Sequence, residues 1–410
     1  MKAVVFTLGC KVNSRESACI IAGLKEKGYE TSDKLEKADI YVINTCAVTA
    51  EAEKKSRQAI ARALKFNPNA RVFVCGCASQ RNPEAFAVKG AKVIIGAKAK
   101  DKLLDLLDED GIFIETKDEY YERYFPAKSS RTREYVKIQD GCDNFCSYCI
   151  IPYLRGRSRS RKVESVVEEI ALLDPIEAVI TGINVSAYDD NGKKLPQLIN
   201  ALTHFDCRLR FGSLEVCSID EELLLATKNL KDFAPHFHLS LQSGSDSVLK
   251  TMNRHYTTAE YAKKVRLIRE FYPNSAITTD VIVGYSTETE EHFNETIEFC
   301  ERIGFADIHC FPYSVREGTV GAKLKKLPDD VKKARLDRLM QKKQELKDRY
   351  IDANIGQILT LIPEEQIGDY TVGYTENYIR VYVKGCLPER KIKVKLLARY
   401  EDGALAEVME

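Results

Sequence analysis

Residues 140–161 read DGCDNFCSYCIIPYLRGRSRSR. Cys142, Cys146 and Cys149 stand in a C-x3-C-x2-C spacing, directly after the strand-like run YVKIQD (135–140). Three thiolates so close in sequence suit one corner of an iron–sulfur cluster. A [4Fe–4S] cluster usually takes four cysteines, so three leave one iron open to an exchangeable ligand. Structural zinc is the competing metal, but it normally wants a fourth Cys or His nearby, and none follows closely. Plain structural cysteines are the remaining reading.

Outward from this stretch, apolar runs alternate with helical patterns. YVKIQD is followed by EAVITG (177–182), RLRFGS (208–213), HFHLSL (236–241), AITTDVIVG (276–284) and ADIHCF (306–311). Six βα units fall short of the eight, over about 250 residues, of a closed barrel, so an open or partial (β/α)6 barrel is expected. A similar alternation precedes it: AVVFTL (3–8), DIYVIN (39–44), RVFVCG (71–76) and KVIIGA (92–97), with helices near 14–27, 50–66 and 98–109. Continuous apolar strands between helices imply a parallel sheet covered on both faces. A charged helix over about 329–350 leads into short alternating strands, QILTLI, YTVGYT, YIRVYV and RKIKVKLLAR, the pattern of a small all-β barrel. The chain is therefore α/β with three expected domains, 1–115, 134–350 and 351–410, and residues 116–133 are expected to link the first two.

Composition narrows the function classes. The 410 residues are 44% hydrophobic and 30% charged, which excludes wholesale disorder. No run of about 18 apolar residues occurs, and MKAVVFTLGC lacks a secretory signal's apolar core, so a cytoplasmic protein without membrane contact is expected. A net charge of +1 means that nucleic-acid affinity must come from local patches. Thirteen cysteines in such a chain favour metal binding over disulfides. Cys10, Cys46 and Cys77 each sit just past the carboxyl end of a predicted parallel strand, the edge at which open α/β sheets bind ligands, so they are candidates for a second metal group. Cys75 lies inside its strand and reads as core. Cys19, Cys207, Cys217, Cys300, Cys310 and Cys386 read as structural.

The triplet after the first strand of a βα array, with Tyr148 before its last cysteine, resembles the radical S-adenosylmethionine (SAM) superfamily. The phrases LGCKVN, NTC, GC-x-x-Q, FCSYCIIPYLRGRSRSR, LSLQSGSD, MNRHYT and FPYSVREGT extend the resemblance, over essentially the whole chain, to the methylthiotransferases. That resemblance implies two [4Fe–4S] clusters, one on Cys142, Cys146 and Cys149, which are the catalytic cysteines, and one on Cys10, Cys46 and Cys77. It implies SAM as cofactor and a terminal RNA-gripping TRAM barrel. GCKVN and the run after the triplet look most like the branch acting on threonylcarbamoyladenosine in tRNA. Other branches act on isopentenyladenosine or on a ribosomal-protein aspartate, and a non-catalytic iron–sulfur protein is the rival from another class. The sulfur and electron donors are unassigned. One departure is Val283-Gly284-Tyr285-Ser286-Thr287-Glu288, where the family has Val-Gly-Phe-Pro-Gly-Glu.

Candidate SAM contacts are Tyr148, Thr181, Gly182, Ser213, Glu215, Gln242, Arg254 and Gly284. Gly182 is expected to let the backbone approach the methionine amino group. Arg155, Arg157, Arg159 and Arg161 form a basic run with no acid before Glu164 and are expected to meet RNA phosphate. Tyr378, Arg380, Lys391 and Lys393 are expected to contact RNA from the terminal barrel.

Overall fold

The computed structural model describes residues 1–115, 128–129 and 131–409. Most of the expected linker, 116–127 and 130, lies outside the described residues.

The first sheet has six parallel strands in the spatial order Glu30–Ser32, Lys2–Thr7, Ile40–Thr45, Arg71–Gly76, Val93–Ile95, Gly111–Phe113. Its central strands are buried on both faces, as their unbroken apolar runs require. The order reverses between Lys2–Thr7 and Ile40–Thr45, so the crevice at a topological switch point opens beside Cys10 and Cys46. Helix Ala50–Phe66 follows the second of these strands, with Thr49 capping it. The helix expected near 98–109 is a shorter 3-10 turn, Lys100–Asp105.

Six parallel strands, Arg133–Asp140 through Asp307–Pro312, form a partial barrel in two half-sheets. The seam runs through the third strand, which breaks at Gly212 into Arg208–Phe211 and Ser213–Leu214. Among the described residues the first and last strands do not pair, and the N-terminal sheet fills that gap. Its helix Lys11–Glu26 packs on Arg133–Asp140. On the other side Arg316 pairs with Glu53 at 2.5 Å and the Ala50 N–H donates to Ser314 Oγ at 3.2 Å.

Helix Asp329–Asp352 leads to a closed five-stranded barrel in the order Ile358–Ile367, Tyr370–Thr375, Arg380–Lys384, Gly403–Val408, Ile392–Tyr400. Closure needs Gly403–Val408, a strand without an expected counterpart. This small barrel covers the amino-terminal end of the larger one. Arg210 binds Glu177 at 2.6 Å and donates to the Thr375 carbonyl at 3.2 Å, while Arg133 pairs with Glu364 at 2.6 Å. No helix among the described residues is long and apolar enough to cross a membrane.

Candidate radical SAM and cysteine site

Both sets of cysteines come together at the carboxyl-terminal mouth of the barrel. Cys142, Cys146 and Cys149 share one loop and lie within electrostatic reach of one another. Gly141 starts the loop with φ +72°, where a Cβ would sit 2.0 Å from the Arg157 carbonyl oxygen. The loop is pinned from below: Ser147 Oγ donates to the Thr251 carbonyl at 2.8 Å, and Asn253 Nδ2 donates to the carbonyls of Asn144 and Phe145 at 3.1 and 3.2 Å. This gives the phrase MNRHYT a physical role that the sequence reading did not assign to Asn253.

Cys10, Cys46 and Cys77 come from three strand ends, and Cys46 lies within electrostatic reach of both Cys10 and Cys77. Gly76, at φ +113°, precedes Cys77 where a Cβ would meet the Thr45 carbonyl oxygen at 2.5 Å. Asn13 ties the ends together, donating to the carbonyls of Leu8 at 2.7 Å and Thr45 at 3.0 Å. Asn44 Nδ2 donates in turn to the Asn13 carbonyl at 3.0 Å. Cys75 is fully buried inside its strand, and burial pushes its thiol up to about 12.

The donor sets fit metal clusters. Burial raises Cys142 and pushes Cys46 to about 11 and Cys149 to about 12, so a lone thiolate is costly there, whereas a metal deprotonates its ligands. Each set also receives one guanidinium N–H. Arg155 Nε lies 3.3 Å from Cys77 Sγ, and Arg254 Nη1 lies 3.3 Å from Cys146 Sγ. Such donors favour charged sulfur over neutral thiol.

Arg155 is the largest correction to the sequence reading. It is wholly buried and binds Glu16 and Asp140 at 2.9 Å each and Asn13 Oδ1 at 2.8 Å. Phosphate cannot reach it. Arg161 is likewise buried and paired with Glu169, and Arg159 donates to the carbonyls of Arg155 and Arg157. Arg157 alone of the four is well exposed, with Asp143 at 3.0 Å. On the terminal barrel Tyr378 is also corrected: it stacks on His236 at 4.0 Å, beneath Arg210, and so faces the larger barrel rather than RNA. Arg380 is held by Asp402 and Glu365, and Lys391 by Asp232 at 2.7 Å. Lys393 is exposed, bonded to Thr360 Oγ1 at 2.8 Å.

The candidate SAM residues divide. Glu215 and Arg254 pair with each other beside a cavity of about 200 Å³ that also meets Asn184, whose amide lies 3.9 Å from Cys142 Sγ. Arg254 is therefore already neutralised and is not a free cation for a carboxylate. Tyr148 is half-buried, Thr181 buried and Ser213 exposed. Gln242 adopts φ +69°, and its backbone pairs with Asp280 and Ile282. A Cβ on Gly182 would meet the Gln139 carbonyl at 3.0 Å, so close strand packing accounts for that glycine without SAM. Gly284 faces Lys332, and its N–H donates to Glu288, which pairs with Arg335. The divergent 283–288 loop is thus anchored to the long helix. Cys19, Cys207 and Cys300 are buried as expected and Cys310 half-buried, but Cys217 and Cys386 are exposed.

Two features escaped the sequence reading. Inside the barrel, Asp280 lies 3.1 Å from both His238 Nε2 and His309 Nδ1, and Thr278 Oγ1 joins His236 to His238. Only the three-dimensional register of neighbouring strands reveals this group. On the rim, exposed Tyr153 meets Phe145 edge-on at 5.7 Å, with Arg157 over the same Phe145 ring.

A family model described as uncharacterized protein family UPF0004 matches residues 2–96, and the radical SAM superfamily model matches 136–300. Threonylcarbamoyladenosine tRNA methylthiotransferase MtaB of Bacillus subtilis is 37% identical, covering 100% of this chain and 98% of its own. This chain belongs to the radical SAM methylthiotransferase family. The Aquifex aeolicus protein of the same name is 38% identical over 94% and 97% of the two chains. A tRNA-2-methylthio-N(6)-dimethylallyladenosine synthase of Staphylococcus haemolyticus is 34% identical over 93% and 79%. Among solved structures, the radical SAM methyltransferase TsrM of Kitasatospora setae, described with cobalamin and a [4Fe–4S] cluster, shares the fold at TM-score 0.55 and 14% identity, over 76% of this chain and 75% of that one. Membership implies SAM and a [4Fe–4S] cluster for this methylthiotransferase.

The geometry yields two expectations. Cys77→Ala is expected to lower iron content after anaerobic reconstitution, whereas Cys75→Ala leaves it unchanged; equal loss in both would contradict the strand-end placement. Arg155→Leu removes the cation that Glu16 and Asp140 share across the interface and is expected to cost about 3–5 kcal/mol, read as a lower melting temperature. An unchanged melting temperature with weakened, less salt-dependent tRNA binding would restore the phosphate role instead.

Proposed function

We propose that this protein is a cytoplasmic tRNA methylthiotransferase that replaces the C2 hydrogen of threonylcarbamoyladenosine, beside the anticodon, with a methylthio group. The observation that carries the reading is the pairing of two three-cysteine sets at one barrel mouth, each with a buried arginine N–H on one sulfur. The choice of substrate leans on full-length relatives named for threonylcarbamoyladenosine.

Cys142, Cys146 and Cys149 would hold one [4Fe–4S] cluster with an iron open to SAM, and Cys10, Cys46 and Cys77 a second. Bound there, cluster and SAM supply radical chemistry able to break the unactivated adenine C2–H bond. The chain's own residues do the rest. Asn253 and Ser147 hold the first cysteine loop still. Glu215 and Arg254 keep the adjoining cavity near neutral, with Asn184 and Asn253 also in its wall. The N-terminal sheet closes the barrel's open side and the small barrel closes its floor, leaving the mouth for RNA. Tyr153 and Phe145 offer base-stacking faces beside the Arg157 cation, and Lys393 offers a further phosphate contact.

Mass spectrometry of tRNA nucleosides from cells lacking the protein tests the reading. Threonylcarbamoyladenosine should accumulate at the expense of its 2-methylthio form, and accumulation of isopentenyladenosine instead would reject the substrate. Tyr153→Ala and Arg157→Ala are each expected to weaken tRNA binding roughly 5- to 100-fold, given about 1–3 kcal/mol per stacked base, with iron content intact. Unchanged affinity in both would place the RNA elsewhere.

A further inference from the structure

The barrel lumen is strongly cationic, yet nearly every cation in it is already committed. Arg133 pairs with Glu364, Arg210 with Glu177, Arg208 with Asp232, Lys137 with Glu16, and Arg254 with Glu215. Lys11 is different. It is the first residue of the helix that plugs the barrel's open side, adjacent to Cys10. Its ammonium lies within electrostatic reach of Arg133, Arg210, His236 and Asp280, and no described residue accepts a hydrogen bond or ion pair from it. The closest carboxylate of that group, Asp280, is already shared between His238 and His309. An uncommitted ammonium in a half-buried site is costly unless an anion joins it.

The last barrel strand connects this cation to the mouth. His309 and Phe311 alternate on one strand face, and both are substantially exposed, at 50% for the His309 side chain and 42% for Phe311. An adenine lying against Phe311 at the mouth would send its N6 substituent inward past His309 and Asp280. The threonylcarbamoyl group presents a urea, a hydroxyl and, at its far end, a carboxylate. Asp280 and the two imidazoles match the polar middle of that chain, and Lys11 matches its end.

We propose that Lys11 is the specificity-determining cation that holds the substrate's threonyl carboxylate inside the barrel, an inference that rests on the threonylcarbamoyladenosine reading. The basic run after the cysteine triplet offers no such cation to the lumen: Arg155 is committed to Glu16 and Asp140, and Arg157 stays on the outer rim beside Asp143.

The test compares anticodon stem-loops carrying threonylcarbamoyladenosine as the free acid, the same nucleoside as its neutral primary amide, and isopentenyladenosine. Full-length reconstituted wild type, Lys11→Met and Lys11→Arg are assayed for turnover, and binding to each stem-loop is followed by fluorescence anisotropy. The wild type is expected to prefer acid over amide roughly 10- to 100-fold in KM and in binding, the size of one charge-assisted contact. Lys11→Met should bring that ratio close to one, while Lys11→Arg keeps most of it. Because each ratio is taken within one preparation, partial loss of iron cancels. A Lys11→Met protein that keeps the acid-over-amide ratio overturns the proposal, also when its KM for SAM has risen. A wild type that methylthiolates the isopentenyl stem-loop and ignores both threonylcarbamoyl forms rejects the substrate reading itself.

Discussion

One buried ion cluster joins the two halves of the site. Glu16, from the N-terminal sheet's first helix, and Asp140, the last residue of the first barrel strand, share the Arg155 guanidinium. Lys137 binds both carboxylates at 3.0 and 2.9 Å, and Lys100 binds Glu16. Burial alone would raise the Glu16 carboxyl, but Arg155, Lys100 and Lys137 outweigh it and hold the group well below its usual range. Such a cluster is a poor general stabiliser compared with apolar packing, yet it breaks at high cost when one member is lost. Its value here is positional. The carboxylates belong to different domains, Glu16 on the N-terminal helix and Asp140 on the first barrel strand, so satisfying Arg155 fixes how the two domains meet.

The same cluster also prepares the chemistry. Two carboxylates face four cations, Lys100, Lys137, Arg155 and, at 4.0 Å, Arg159, and Arg155 Nε of this net-positive group touches Cys77 Sγ. Arg254 repeats the device across the mouth: its charge is offset by Glu215 while one N–H reaches Cys146 Sγ. In both sets a guanidinium is fixed by a carboxylate before it meets sulfur. The donor therefore needs no reorganisation when the sulfur becomes charged, and it cannot be drawn away by passing phosphate.

Much of the architecture was legible from periodicity. Arg71–Gly76, Glu177–Gly182 and Tyr370–Thr375 occupy the residues that their apolar runs suggest. Strands that went unread are short or rich in small residues, among them Glu30–Ser32, Gly111–Phe113 and Gly403–Val408, which are recognised by their pairing rather than their composition. The cysteines were legible because strand-end position is a property of sequence spacing. The arginines were not. RGRSRSR contains no acid, so it reads as a solvated basic run, but the partners of Arg155 and Arg161 come from Glu16, Asp140 and Glu169. Counter-charge lies in space, and a local charge count misses it whenever a run crosses an interface. Tyr378 fails for the same reason: an aromatic on a small basic barrel suggests base stacking, until docking of that barrel places His236 over the ring.

The interior explains how close relatives with a common mouth could separate their substrates. Chains 34 to 38% identical to this one are named for either a threonylcarbamoyl or a dimethylallyl adenosine, so selection between those substituents must come from side chains that leave the cysteine geometry alone. In this chain the lumen beyond the mouth carries His236, His238, Asp280, Arg210 and Lys11. Among the described residues Lys11 has no hydrogen-bond or ion-pair partner, and His236 Nδ1 is buried without one. An apolar tail pushed into such a space would displace water from groups that it cannot satisfy, at about 1–3 kcal/mol for each unpaired polar atom and more for a charge. Rejection by unpaired polar groups discriminates far more strongly than the reverse case, a greasy pocket excluding one extra polar atom. A lumen of this composition therefore works against the apolar substituent even before any favourable contact to the threonyl group is counted.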